Sequence, residues 1–273
     1  MSFRKRPFQN AALRRKKRRG KPSLGRVLPN TITISALCVS LSGVRFAFQN
    51  RWEEAVLCIL VAAILDSMDG RLARLLKCTN YFGSELDSLA DVISFGVSPA
   101  LILYLWTLKS LGNTGWGVCL FFCACCALRL ARFNATTTQT PHWATAFFTG
   151  VPAPAGALIA LFPLVLSFCH AEPWVKNPAF SLYMLVSAGL LKISRLPTFS
   201  FKKVKVSSRQ VFPLLVILSL GVIGLITEVW MTLALLSLIY LATIPYSCIV
   251  YARLEKQHKP ALSEEFQKQE TLF

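Results

Sequence analysis

The sequence predicts an all-α fold: a polytopic membrane helix bundle with about eight transmembrane helices and both termini in the cytoplasm. Three observations predict it. Of the 273 residues, 54% are hydrophobic and the mean hydropathy is +0.50. Apolar windows long enough to cross a bilayer, which needs about 20 residues each, recur along the whole chain. Lys and Arg crowd into every second connection between those windows, as cytoplasmic loops do.

The windows lie at about 30–48, 53–76, 83–107, 114–133, 145–168, 178–192, 211–227 and 229–251. Ahead of the first runs a basic arm, 1–28, with Arg14, Arg15, Lys16, Lys17, Arg18 and Arg19 at its centre and no apolar stretch of signal-peptide type. Span one opens on Asn30, Thr31 and Thr33, whose side chains suit a helix cap or a polar ligand equally well. Span two starts beside Glu53 and Glu54 and ends at Arg71, Arg74 and Lys77. Span three returns through 83–107, and span four carries Cys119, Cys123, Cys125 and Cys126 before ending at Arg129 and Arg132. Those cysteines lack zinc-type spacing and read as small buried hydrophobes. Span five opens on "TGVPAPAG", where two prolines interrupt the helix, as is tolerated beside protein or a wet cavity. Between spans six and seven come Lys192, Arg195, Lys202, Lys203, Lys205 and Arg209. The polar stretch 253–273 reads as a loose cytoplasmic tail, leaving 29–252 as the membrane domain. Every basic connection falls on one side only if the number of spans is even, and eight fits.

The 30 Lys+Arg against 13 Asp+Glu give a net charge of +17. A soluble chain this basic would suggest nucleic acid. Here the apolar runs assign the charge to topology and to anionic membrane lipids, and no nucleic-acid partner is expected.

Four of the thirteen acids do not belong in such a bundle. Asp66 and Asp69 lie in span two, Asp87 and Asp91 in span three. At about 100° per residue, Asp66, Asp69, Gly70, Ala73 and Arg74 share one helix face, and Gly83, Asp87, Asp91 and Ser94 share another. Both pairs fall toward the cytoplasmic ends of their spans, at the depth of lipid phosphates. One Asp at the centre of a span costs about 2.5–3.5 kcal/mol on insertion scales, so four cost on the order of 10 kcal/mol, less the relief of shallow placement. Arg74 alone does not offset that. Divalent cations do, and an oxygen-only ligand set suits Mg²⁺ or Mn²⁺. Gly70 and Ala73 remove bulk beside the carboxylates, for a ligand or for close helix packing. Arg74 is placed to grip a phosphate or a carboxylate in bidentate fashion. The stretch reads as a metal-assisted phosphate site open to lipid.

The spacing Asp66-x2-Asp69-Gly70-x2-Ala73-Arg74-x8-Gly83-x3-Asp87-x3-Asp91 resembles the signature of the CDP-alcohol phosphotransferases, also called the CDP-alcohol phosphatidyltransferase family, with no departure at a fixed position. "LPNTITISALC" at 28–38, "ALRLARFN" at 127–134, "FFTGVPAPAGA" at 147–157 and "KISRLPTFSFKK" at 192–203 are similar to the phosphatidylserine synthase branch. The resemblance implies a helical membrane core of about six spans, usually a homodimer, which moves a phosphatidyl group from a CDP-linked donor to an alcohol. It implies that Asp66, Asp69, Asp87 and Asp91 hold two Mg²⁺ or Mn²⁺ ions and that Asp91 is the general base. It further implies that Gly70, Ala73, Arg74 and Gly83 contact CDP-diacylglycerol, with Asn30 and Thr33 as further candidates at the cytidine. For the branch, the acceptor is L-serine and the place a bacterial inner membrane, with the site facing the cytoplasm.

Serine carries a carboxylate that needs cations. Arg132 is the first candidate for it, then Arg129 and Lys203, with Asn134 and Thr198 as hydrogen-bonding groups; positive-inside decoration explains the same arginines. Glycerol 3-phosphate, inositol phosphate and choline are the rival acceptors. An ion-coupled transporter and a membrane scaffold are the rivals from other classes, and neither needs Gly70, Ala73 or Gly83.

Overall fold

A computed structural model describes residues 24–76, 81–135, 147–169, 173–194, 196–199 and 208–270. Lys203 and most of the basic arm lie outside the described residues, as do the side chains of Ala73, Arg74 and Thr198. Within them the chain forms α1 (Leu24–Phe48), α2 (Trp52–Leu75), α3 (Tyr81–Val92), α4 (Ser98–Trp106), α5 (Asn113–Ala135), α6 (Ala153–Cys169), α7 (Pro178–Ile193), α8 (Ser208–Thr227) and α9 (Val229–Glu270). A π turn, Ile93–Val97, joins α3 to α4 in one continuous rod, so the described helices form eight rods. Among the described residues the bundle is helical apart from one small antiparallel pair, β1 (Phe147–Thr149) with β2 (Pro197–Phe199), in register Phe147↔Phe199.

The rods track the eight apolar windows closely. Four stretches, Val27–Phe48, Tyr81–Trp106, Asn113–Ala135 and Val229–Tyr251, are long and apolar enough to cross a membrane by length and composition. Ala153–Cys169, Pro178–Ile193 and Leu218–Thr227 are shorter apolar helices. The second rod is set apart by its chemistry: its C-terminal half carries Asp66, Asp69, Arg71 and Arg74. Large apolar side chains on the outside, among them Ile34, Leu41, Leu218, Ile226 and Ile239, are exposed. A surface of that kind suits lipid, since water gives it no driving force to stay uncovered.

Three elements differ from the sequence reading. The fifth rod begins at Ala153, not near 145, because Pro152 and Pro154 restrict the backbone before them and 147–149 pairs as β1 instead. The last helix continues to Glu270, past the point at which a loose tail was expected; Glu, Lys, Gln and Ala, strong helix formers, fill that stretch. Lys192, expected among loop cations, is wholly buried because α7 carries it into the bundle.

Packing explains how the rods are held. The first two form a tight hairpin through Gln49–Arg51, with Asn50 at φ 60°. Gly43 permits their approach: a Cβ there would stand 2.9 Å from the Ala55 carbonyl oxygen. The core runs through the middle of the bundle, where Phe95, Ile102, Leu103, Phe122, Ile159 and Leu185 are fully buried. Gly150, at φ 79°, lies against the Lys192 and Ser194 carbonyls and lets β1 dock on the end of α7. Asn177 caps α7 by accepting the Ala179 N–H at 2.9 Å.

Replacing Gly43 by Val should push α1 from α2 at a cost of about 1–3 kcal/mol. Thermal unfolding of the detergent-purified protein should show a clearly lowered Tm; an unchanged Tm contradicts this account of the hairpin.

Candidate active site

The site is made by two antiparallel rods and a third beside them. Asp66 and Asp69 occupy successive turns near the end of α2, and Asp87 and Asp91 occupy successive turns of α3, the next helix in the chain. Because i and i+3 or i+4 lie on one helix face, each rod presents a pair rather than a single acid. The structure brings the pairs together: one oxygen from each of Asp66, Asp69 and Asp87 lies within 4.8 Å of the other two. Asp91, a turn beyond Asp87, is within hydrogen-bonding reach of Asp66.

Asp69 is the most enclosed of the four, at 4% exposure. Its Oδ2 accepts a 2.5 Å hydrogen bond from the Thr33 hydroxyl of α1. That hydroxyl also stands 3.1 Å from the Pro29 carbonyl, so it is held in place while its proton goes to the carboxylate. Thr33, a candidate for the cytidine, is thus found orienting an acid. Asn30, three residues earlier on α1, is half-buried.

Gly70 is exposed, and a Cβ there would meet nothing within 4 Å. The face of α2 next to Asp69 is therefore open, as a ligand approaching the α2 backbone requires. Gly83 lies a turn before Asp87 and is half-buried. Asn134, on α5, donates to the Ser88 hydroxyl at 3.0 Å and so holds the rod that carries Asp87 and Asp91.

The two arginines of α5 do different work. Arg132 donates to the Ile193 carbonyl at 2.9 Å and the Ser194 carbonyl at 3.3 Å, at the C-terminal end of α7 where helices leave carbonyls unpaired. Two of its five donors are committed there, which explains its presence without a ligand. Arg129 is the one within electrostatic reach of Asp91. Its Nε is buried and has no hydrogen-bond partner among the described residues.

The donor set fits a divalent cation. The carboxylates offer only oxygen; oxygens bound to one Mg²⁺ stand about 3 Å apart when adjacent and about 4 Å when opposite, so the three side chains would draw inward from their 4.8 Å spread to share an ion. Among the described side chains, which do not include that of Arg74, no Lys or Arg forms an ion pair with these acids; the pair present is Arg51–Glu54 at 2.8 Å, at the other end of the hairpin. Four clustered acids with no ion pair among the described side chains demand compensating charge.

Comparison with known proteins gives the family. The family model described as CDP-alcohol phosphatidyltransferase matches residues 26–239. The chain belongs to that family. It is similar to proteins named CDP-diacylglycerol–serine O-phosphatidyltransferase from several organisms. The Mycobacterium bovis protein is 34% identical over 223 residues, covering 81% of this chain and 78% of the relative. The Helicobacter pylori protein is 34% identical over 194 residues, covering 71% and 81%. The archaeal Methanocaldococcus jannaschii protein is 38% identical over 136 residues, covering 50% and 59%.

Two features of the site are not anticipated by the sequence reading. The π turn directly after the Asp91 turn is one, although Pro99 signals a break in helical bonding there. The other is the Ser40 hydroxyl, which donates to Ser94 at 3.0 Å and ties that turn to α1.

Thr33→Val keeps the shape and removes the donor to Asp69. It should raise the Mn²⁺ concentration for half-occupancy by about tenfold, as loss of a ligand-orienting hydrogen bond does, with Tm little changed. Titration of bound Mn²⁺ by electron paramagnetic resonance checks this.

Proposed function

We propose that this membrane protein transfers the phosphatidyl group of CDP-diacylglycerol to the hydroxyl of L-serine, releasing CMP. The observation that carries the reading is the convergence of Asp66, Asp69 and Asp87, in the family's register, with open space at Gly70. The relatives' shared name supports serine as the acceptor.

Two Mg²⁺ or Mn²⁺ ions held by Asp66, Asp69, Asp87 and Asp91 would supply positive charge to the pyrophosphate and to the leaving CMP. The chain's own groups do the rest. The small residues Gly70 and Gly83, with Ala73, admit the CDP moiety to the helix backbones, and Arg74 binds phosphate. Thr33 holds Asp69 in its ligating orientation, and Asn30 serves the cytidine side. Asp91 takes the proton of the serine hydroxyl as that oxygen attacks the phosphorus carrying diacylglycerol. An ordinary carboxylate, near 3.9, is a weak base for a hydroxyl, so position and local charge must supply most of the acceleration.

For the serine carboxylate, Arg129 is the cation we assign first: it is within electrostatic reach of Asp91, and its buried Nε has no hydrogen-bond partner among the described residues. Arg132 and Asn134 support it by fixing α7 and α3, and Lys203 remains a candidate contact. We place the site at the cytoplasmic face of a bacterial inner membrane, in a homodimer, with the basic arm against anionic lipid.

The test is CMP release by purified protein from CDP-diacylglycerol with L-serine, glycerol 3-phosphate, inositol phosphate or choline offered in turn. Only serine should support turnover, and EDTA should abolish it. Asp91→Asn should lose transfer while still binding CDP-diacylglycerol; substantial residual turnover removes it as the base. Arg129→Gln should raise the KM for serine by about tenfold or more and leave that for CDP-diacylglycerol nearly unchanged.

A further inference from the structure

Lys192 has no part in the mechanism above, yet it is among the largest fully buried side chains in the bundle. Its amino group has three donors and three partners. Nζ donates to the Phe95 carbonyl at 2.8 Å and to Cys126 Sγ at 3.6 Å, and it lies 4.1 Å from the centre of the Phe122 ring. Its methylene stem fills the place where any side chain at 156 would begin, so Gly156 is the residue that admits it.

The Phe95 carbonyl is a special acceptor. In an α-helix it would receive the N–H of residue 99, but that residue is Pro99, which has none and whose ring crowds that same carbonyl. The helix answers with a π turn over Ile93–Val97, in which Ser98 N–H reaches back to the Ile93 carbonyl. Gly96 lets this turn lie against α5, where a Cβ would stand 3.0 Å from that of Cys126. Below the turn, Ile102 and Leu103 of α4 are locked in the core. Above it lie Asp87 and Asp91. One residue inserted into a helix rotates the segment on its N-terminal side by about 100° relative to the segment on its C-terminal side. With α4 fixed, the π turn therefore sets the direction in which the two acids face.

We propose that Lys192 is a positioning residue for the acidic site: it supplies the hydrogen bond that Pro99 denies the Phe95 carbonyl, and so holds the π turn whose phase aims Asp87 and Asp91 at α2. Arg132 secures the same helix end, through Ile193 and Ser194, so α7 is latched to both α5 and the π turn. The proposal rests on the metal-site reading of the four aspartates, not on the choice of serine as acceptor.

The test is Mn²⁺ binding by the full-length purified protein, monitored by electron paramagnetic resonance, in wild type, Lys192→Met and Lys192→Gln. Met keeps the stem and lacks the donor; Gln keeps a donor one bond shorter. Half-occupancy should need about tenfold more Mn²⁺ in Lys192→Met, with Lys192→Gln between. At saturating Mn²⁺ the KM for serine should move less than about twofold. A residue that only fills space would lower the recovered yield without moving Mn²⁺ affinity. Wild-type affinity in folded Lys192→Met overturns the proposal. If that variant is not recovered folded, wild-type affinity in Lys192→Gln overturns it equally. A wild type that binds Mn²⁺ but does not use serine refutes the acceptor assignment and leaves this proposal standing; a wild type that binds no Mn²⁺ refutes both.

Discussion

Mutual repulsion among four carboxylates, set into a bundle whose outer surface is built for lipid, is the constraint on which the rest of the structure depends. Each acid is costly where it stands, and bringing three of them within 4.8 Å multiplies the cost. A sequence would not keep that arrangement for packing, because apolar residues of similar volume pack better. A shared divalent cation turns the same arrangement into a favourable one, and a CDP-linked lipid provides the phosphates such a cation attracts.

Much of the surrounding structure is a way of holding acids that repel. Thr33 reaches across from α1 to fix Asp69. Asn134 reaches from α5 to Ser88 and steadies the third rod. Ser40 of α1 and Lys192 of α7 both grip the π turn, through Ser94 and the Phe95 carbonyl. Gly43, Gly96 and Gly156 admit these contacts by taking up no room. The open side is at Gly70, where nothing fills the space a side chain would use.

The sequence carries a large part of this, because two of its signals are strong. Membrane helices must satisfy their backbones internally, so apolar length maps to rods almost directly. The aspartate pattern obeys helical periodicity, so facing pairs can be deduced from spacing alone. The features that escape a sequence reading depend on contacts between residues far apart in the chain. Lys192 looks like one more loop cation, because nothing near it in sequence shows that Phe95 and Phe122 wait for it across the bundle. Arg132 reads from the sequence as a serine ligand, and its bonds to the carbonyls of Ile193 and Ser194, some sixty positions away, are not visible there. The pairing of 147–149 with 197–199 is non-local in the same sense. Pro99 is the exception: its missing N–H is a local fact, and it points to a π turn that periodicity alone smooths over.

The most direct test of the central claim is anomalous diffraction from crystals of the full-length protein grown with Mn²⁺ and a cytidine diphosphate lipid. Density should appear between α2 and α3, bounded by the oxygens of Asp66, Asp69 and Asp87, with Asp91 beside it. Saturating Mn²⁺ that left no peak there, or that bound only elsewhere on the protein, would contradict the account.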